Sequence, residues 1–381
     1  MSATHTPSSD AASDDWADLP RITAALDLRD LTDPQAGPHA VQHLVDAATS
    51  ALARRWRCEV VVHRDRPIVS VEDNYDRLGY PPEATARDRR YTRYVSDTCL
   101  LRTHTSAMVP VALRRLAATE PVPPADVLVA CPGMVHRRDV IDRLHVGTPH
   151  QVDLWRVRRG DPLTTADLEA MIATVVRAVL PHVEWRTEAR VHPYTTDGLQ
   201  IDVLADDGTW VEIGECGMAD PAVLERAGID PGEWTGLAMG LGLDRLLMLR
   251  KGVPDIRLLR SDDSRVAAQM LHLGPWESVS DQPPIVRDVS VAVDPALDAE
   301  LLGDRVREAL GADARSVEAV EVLSETPGDD VPVPARARLG LRDGQKNVLV
   351  RVVLRHPERT LTRSEANELR DRVHAALHEG G

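Results

Sequence analysis

The chain has 381 residues, 60 acidic against 45 basic, and a formal net charge of −15. A hydrophobic fraction of 43% supplies a sizeable core, 28% of residues are charged, and no apolar run approaches the length that crosses a membrane. The acidic balance argues against avid, nonspecific nucleic-acid binding, and Cys58, Cys99, Cys131 and Cys216 lack the spacing of a zinc site or a disulfide framework, which fits a reducing cytoplasm.

Residues 1–20 are rich in Ser, Thr, Ala and Asp, too acidic for a transit peptide and too polar for a signal peptide, and read as a disordered tail. The spacing of Val41, Leu44, Val45, Ala48 and Leu52 predicts a helix over 37–56 with Pro38 in its first turn. A buried strand over 58–62 follows. Residues 126–158 read as strand, charged loop, strand, with Val127, Leu128 and Val129 on the way in and 151–157 on the way out. Gln151 and Asp153 fall on alternate positions of the second strand and therefore on one face, where they can accept hydrogen bonds from an ammonium group. An amphipathic helix over 163–179 buries Leu168, Met171, Ile172, Val175 and Val179, and strands follow within 191–218.

Residues 236–249 hold small residues at alternate positions (Gly236, Ala238, Gly240, Gly242) and then an apolar helix. Such a strand passes its backbone close to something. The helix carries Arg245 in its first turn, where the positive end of the helix dipole prefers an anion. A cation there points to a phosphate held between the two. A proline-containing linker over 274–287 leads to strand, helix, two strands and a final helix. That last helix begins with the capping box Thr362/Glu365 and buries Ala366, Leu369, Val373 and Leu377. The split βαβ order implies a ferredoxin-like fold. The expected units are residues 21–273 and 288–381.

Several of these stretches together resemble class II aminoacyl-tRNA synthetases of the phenylalanyl type. GLAMGLGLDRLLMLRKGVPDIR (236–257) resembles motif 3, with Asp244 where the family has Glu, and DVLVACPGMVHRRDVIDRLHVGTPHQVDLWRVR (126–158) resembles motif 2. DNYDRLGY (73–80), LLRTHTSA (100–107) and WVEIGECGM (210–218) are similar to further family stretches, the last to W-x-E-x-x-G-C-G-M. PPIVRDVSVAV and HPERTLTRSEANELRDRV resemble the family's ferredoxin-fold anticodon-binding domain. The likeness runs over about residues 25–381 in the single-chain arrangement of mitochondrial enzymes. It implies an α+β fold: a class II antiparallel sheet flanked by helices, followed by a C-terminal βαββαβ domain.

The resemblance implies roles. Arg137 and Arg245 would be catalytic, holding the α-phosphate of ATP, with Asp139, Asp142, His145 and Glu212 also at the nucleotide and Glu212 as a magnesium ligand. His104, Ser106, Gln151 and Asp153 would hold the amino acid, while His192, Tyr194, Ala238 and Met239 shape its side-chain pocket. His192 and Tyr194 stand where the family has phenylalanines, Leu237 and Met239 replace the aromatics beside Ala238, and Pro149 replaces the ring that stacks on adenine. The chemistry suits two guanidiniums: joining a carboxylate to the α-phosphate gathers charge on phosphorus oxygens, which forked N–H donors stabilise without moving protons. The implied substrates and cofactors are phenylalanine or a relative, ATP, Mg2+ and tRNA, handled by a cytoplasmic monomer or homodimer with no membrane or DNA partner. Two other readings are a paralogue that delivers its adenylate to a carrier protein or biosynthetic acceptor, and a non-catalytic RNA- or protein-binding relative.

Overall fold

The computed structural model describes residues 16–119, 124–279 and 283–381. Twelve strands are present among them: β1 Glu59–Val62, β2 Ile68–Ser70, β3 Cys99–Leu101, β4 Asp126–Met134, β5 His150–Arg159, β6 Trp185–Ala189, β7 Thr195–Leu204, β8 Trp210–Ala219, β9 Trp234–Gly242, β10 Ile285–Val293, β11 Val317–Pro327 and β12 Lys346–Leu354. The α-helices are α1 Leu19–Asp27, α2 Ala40–Trp56, α3 Val71–Asn74, α4 Val109–Ala117, α5 Thr165–Val179, α6 Pro221–Arg226, α7 Leu243–Lys251, α8 Ser264–Gln269, α9 Ala299–Leu310, α10 Val333–Leu339 and α11 Arg363–Leu377.

Seven strands form one sheet in the order β1-β4-β5-β9-β8-β7-β6, antiparallel except where β1 runs parallel to β4. Side-chain alternation gives this sheet two unlike faces. Leu237, Met239 and Leu241 of β9 join Leu44 and Leu52 of α2, Met171 and Val175 of α5, and Leu246 and Leu247 of α7 in the main core. Ala238 points to the other face, into a core with Trp155, Met108 and Leu113 under α4 and α6. Gly240 and Gly242, on that same second face, leave a groove. This α+β architecture is the expected one.

Several boundaries differ from the sequence expectation, each for a physical reason. Residues 1–15 of the expected tail lie outside the described residues. From Trp16 the chain is fixed: Arg89 stacks 4.2 Å from the Trp16 ring, Ala17 N–H donates to Tyr94 O, and Asp18 caps α1. Helix α2 starts at Ala40 rather than 37, because His39 is its N-cap and accepts from Val41 N–H, so Pro38 lies before the cap. The strand expected to be buried, β1, is a sheet edge, and Val62 is 54% exposed. Within the expected linker, residues 280–282 lie outside the described residues, and β10 already begins at Ile285, where it pairs with Leu354.

The C-terminal strands order as β10-β12-β11, all antiparallel, with α9 and α11 on one face around Val291, Leu302, Val306, Val350 and Val373. This is the 1-3-2 core of a βαββαβ unit. After α11 the chain runs back beside β10, where Glu379 N–H donates to Ala292 O, in place of a fourth strand.

The two sheets meet at the loop between β4 and β5. Ile141 of that loop is 7% exposed inside the C-terminal core, and its carbonyl accepts from Val320 N–H. Arg307 of α9 donates to the carbonyls of Asp139 and Val140. Asp304 receives Arg93 and, at 3.2 Å, Arg138. The approach is close enough that a Cβ at Gly303 would stand 2.7 Å from Asp139 O.

Candidate active site

The groove over Gly240 and Gly242 opens into a cavity of about 540 Å³. Strand β9 delivers Arg245 to its rim on the first turn of α7, which starts from Gly242 without a side-chain cap. One Arg245 nitrogen donates to Glu212 O at 2.8 Å, and the other lies 3.2 Å from His145 Nε2. His145 Nδ1 sits 2.8 Å from both Asp142 oxygens, a pairing that raises the imidazole above its ordinary value. With the proton on Nδ1, Nε2 accepts from Arg245. Arg137 enters from the β4–β5 loop, its Nε donating to Thr103 O at 2.7 Å and its backbone N–H to Gly147 O. Each guanidinium keeps N–H donors that its backbone bonds do not use.

Asp244, one residue before Arg245, turns inward and is fully buried. It accepts His150 N–H and pairs with His150 Nδ1 at 2.8 Å, while His150 Nε2 lies 2.9 Å from Arg260. Burial pushes the Asp244 carboxyl up, but the His150 charge and hydrogen bonds more than offset this and hold it below the usual range. This brace ties the start of β5 to the start of α7, and so fixes the position from which Arg245 projects.

At the other end, Asp153 is buried at 3% exposure and accepts Thr105 Oγ1 at 2.7 Å and Trp155 Nε1 at 3.2 Å. Burial raises its carboxyl, and no ion pair reaches it among the described residues. A carboxylate held that way gains from an incoming ammonium. Gln151 Oε1 accepts Thr105 N–H at 3.4 Å. Beyond them runs a row of rings: His104 stacks on Tyr80 at 5.5 Å, Tyr80 lies 6.3 Å from Tyr194, and Tyr194 stacks on His192 at 5.7 Å. Both His104 ring nitrogens are sealed from solvent without an aligned partner among the described residues, and burial drops the imidazole to about 3.

Of the residues singled out from sequence, Arg137, Asp139, His145, Glu212 and Arg245 line the cavity. His104, Ser106, Gln151, Asp153 and Tyr194 line it as well. Asp142 does not line it and acts through His145. Met239 is corrected outright: its position on β9 turns it to the α2/α5 face, 1% exposed in the main core. Ala238 is covered by the core around Trp155, and His192 stands behind the wall rather than in it. Tyr80, the His150–Asp244 brace and Glu215, to which the sequence motifs assign no role, also border the cavity. For Glu215 a signal existed, because W-x-E-x-x-G-C-G-M has glycine at that place.

Glu212 is the candidate magnesium ligand. Its carboxyl is raised first by burial and then by the Glu215 charge, and no ion pair neutralises it among the described residues. A hard cation relieves that repulsion, so the residue suits one. Among the described residues, no cluster of three or more His, Cys, Asp or Glu side chains could hold a metal by itself.

The site is thus a groove on the sheet lined by two arginines and by a buried carboxylate, Asp153, that has no ion pair among the described residues. The family comparison is specific: the model of the tRNA synthetases class II core domain (F) matches residues 33–270, and the chain belongs to that family. Similar proteins include the phenylalanine--tRNA ligase alpha subunit of Prochlorococcus marinus (strain MIT 9313), 39% identical over 196 residues, which cover 51% of this chain and 56% of that one. The same subunit of Nostoc punctiforme is 37% identical over 196 residues, again 51% of this chain and 56% of that one. The match spans about half the length of these relatives. The pyrrolysyl-tRNA synthetase from Desulfitobacterium hafniense, a solved structure, is 20% identical, with a TM-score of 0.43 over 59% of this chain and 74% of that one. No helix among the described residues is long and apolar enough to cross a membrane.

Proposed function

We propose that the chain activates phenylalanine or a related amino acid with ATP and transfers it to tRNA, as a phenylalanine--tRNA ligase does. The observation that carries this reading is that Arg137 and Arg245, 108 positions apart in sequence, line one cavity together with Gln151 and Asp153. In the reaction a substrate carboxylate oxygen attacks the α-phosphorus, a new P–O bond forms, and pyrophosphate leaves with the electrons of the bond that breaks. Arg137 and Arg245 hold the α-phosphate oxygens, His145 orients Arg245, and Asp139 lies at the nucleotide. Glu212 would hold a magnesium ion, which when bound would screen the phosphate charge. His104, Ser106, Gln151 and Asp153 fix the amino acid, with Asp153 receiving the ammonium. Residues 21–273 are then the catalytic unit, 274–287 the linker and 288–381 the anticodon-binding unit of a single-chain enzyme. ATP–pyrophosphate exchange that depends on one amino acid and collapses in Arg245→Ala tests the reading, and no exchange with any amino acid defeats it.

A second reading, transfer to an acceptor other than tRNA, has its own observation. Three arginines of the C-terminal unit are each paired with a carboxylate rather than left free for RNA: Arg351 with Asp288 at 2.9 Å, Arg355 with Glu318 at 2.6 Å and Arg359 with Glu365 at 2.8 Å. Charging of tRNA measured with the amino acid that supports exchange decides between the two.

A further inference from the structure

Glu215 has no part in the chemistry above, yet its side chain lines the cavity. Strand register fixes where. Asp153 of β5 and Glu215 of β8 both pair with Gly240 of β9, so the two carboxylates occupy one level of the sheet and one face of it. Between them stands a residue with no side chain. Neighbouring strands lie about 4.8 Å apart, which sets the two Cα atoms on the order of 10 Å apart across an open groove.

The carboxylate of Glu215 is held from behind. His192 Nε2 lies 2.9 Å from one oxygen, and Arg190 Nε lies 3.6 Å from the other. Thr195 Oγ1 is 3.3 Å from His192 Nδ1, so with that hydroxyl donating, the ring proton sits on Nε2 and faces Glu215. The imidazole is close, but its N–H does not point along a hydrogen bond to the oxygen. A carboxylate accepts about four hydrogen bonds. Glu215 is therefore fixed in place with accepting capacity left towards the cavity. Although burial pushes its carboxyl up, the His192 contact and the Arg190 and Arg137 guanidiniums outweigh this and hold it below its ordinary value. Tyr80 and Tyr194, with ring centroids 6.3 Å apart, line the same cavity as Asp153 and this carboxylate.

We infer that Glu215 is a specificity-determining residue that selects an amino acid whose side chain ends in a hydrogen-bond donor, one end of the substrate held at Asp153 and the other at Glu215. This rests on the amino-acid-activating reading and narrows its substrate class. Tyrosine, 4-aminophenylalanine and lysine carry an ammonium at one end and an O–H or N–H at a matching reach. Phenylalanine and norleucine meet only the Asp153 end and would cover the cavity side of the Glu215 carboxylate without supplying a donor to it, an arrangement that makes a pocket reject a ligand.

The test is ATP–pyrophosphate exchange with those five amino acids on the full chain, wild type against Glu215→Gln and Glu215→Gly, alongside thermal-shift binding of the same amino acids without ATP. The expected result is a kcat/KM ratio of roughly a hundredfold for tyrosine or 4-aminophenylalanine over phenylalanine, or for lysine over norleucine. Which pair shows it separates a ring-borne donor from an aliphatic ammonium. Glu215→Gln should cut the ratio at least tenfold, and Glu215→Gly should move the preference towards phenylalanine, with the Arg245→Ala loss unchanged in kind. Phenylalanine exchanging as well as every donor-bearing amino acid, with a ratio indifferent to Glu215→Gln, overturns the inference and leaves activation standing. Donor-dependent thermal shifts that vanish in Glu215→Gln, without exchange, would uphold the selectivity while the activation reading fails. Neither exchange nor thermal shift overturns both.

Discussion

The part of the cavity proposed to hold phosphate and the part proposed to hold the amino-acid side chain are built by opposite means. At the proposed phosphate end, Arg137 and Arg245 are pinned by backbone carbonyls and a relayed imidazole, with Thr103 O, Glu212 O and His145 as their partners. At the side-chain end, His104 and Asp153 are buried with hydrogen-bonding capacity left over, and the walls are stacked rings. One end is finished before a ligand arrives; the other is completed by it. Chemistry common to every substrate demands the first arrangement, and choice among substrates demands the second.

The strongest way to break that contrast is at Arg245. Arg245→Ala removes a preorganised donor of the phosphate end, and pyrophosphate exchange is expected to fall about 10²–10³-fold with far-UV circular dichroism unchanged. A loss of only a few-fold would mean that this end is not where transition-state charge collects. Arg137→Lys keeps the charge and loses the planar fork, and its exchange rate should lie close to that of Arg137→Ala.

The brace beneath the phosphate end makes a prediction about stability rather than rate. Asp244→Ala strands His150 and Arg260 without their buried counter-ion, and denaturant unfolding should report a loss of about 3–5 kcal/mol. Retained stability in that variant would show that Arg245 is positioned by something else.

A smaller effect comes from acid. The folded chain keeps His39 neutral at about 4 and His104 and His136 at about 3, each first through burial, against an ordinary value of 6.5. The unfolded chain binds those protons earlier, so this contribution to stability is complete above pH 6.5 and drains away as pH falls towards 4. Thermal unfolding followed from pH 7 to pH 5 should show a falling midpoint. The slope should be shallower in His39→Gln. Smallest of all, Arg351→Ala removes an exposed partner of Asp288, and the unfolding midpoint should not move measurably.

The sequence disclosed the phosphate end well and the side-chain end poorly, for a physical reason. Arg245 stands out because a cation at a helix start contradicts the local dipole, and alternation alone puts Gln151 and Asp153 on one face. Ring rows carry no such period: Tyr80 and Tyr194 meet across 114 positions, which only the fold brings together. Met239 was misplaced because proximity to Ala238 in sequence is separation across a sheet, whose two faces alternate residue by residue. Glu215 was overlooked because a single acidic residue in a strand reads as solvated until its register with Gly240 is known. In the C-terminal unit the strands and capping box were legible, but its docking was not, since Gly303 and Ile141 are unremarkable letters until they touch.

That docking has a practical consequence. The loop that carries Arg137 is clamped at the carbonyls of Asp139 and Val140 by Arg307, and its Ile141 is seated among side chains from beyond residue 288. A fragment ending at residue 273 would expose an isoleucine and two carbonyls on the segment that carries Arg137. Under the proposed function, nucleotide affinity measured on such a fragment should fall below that of the full chain.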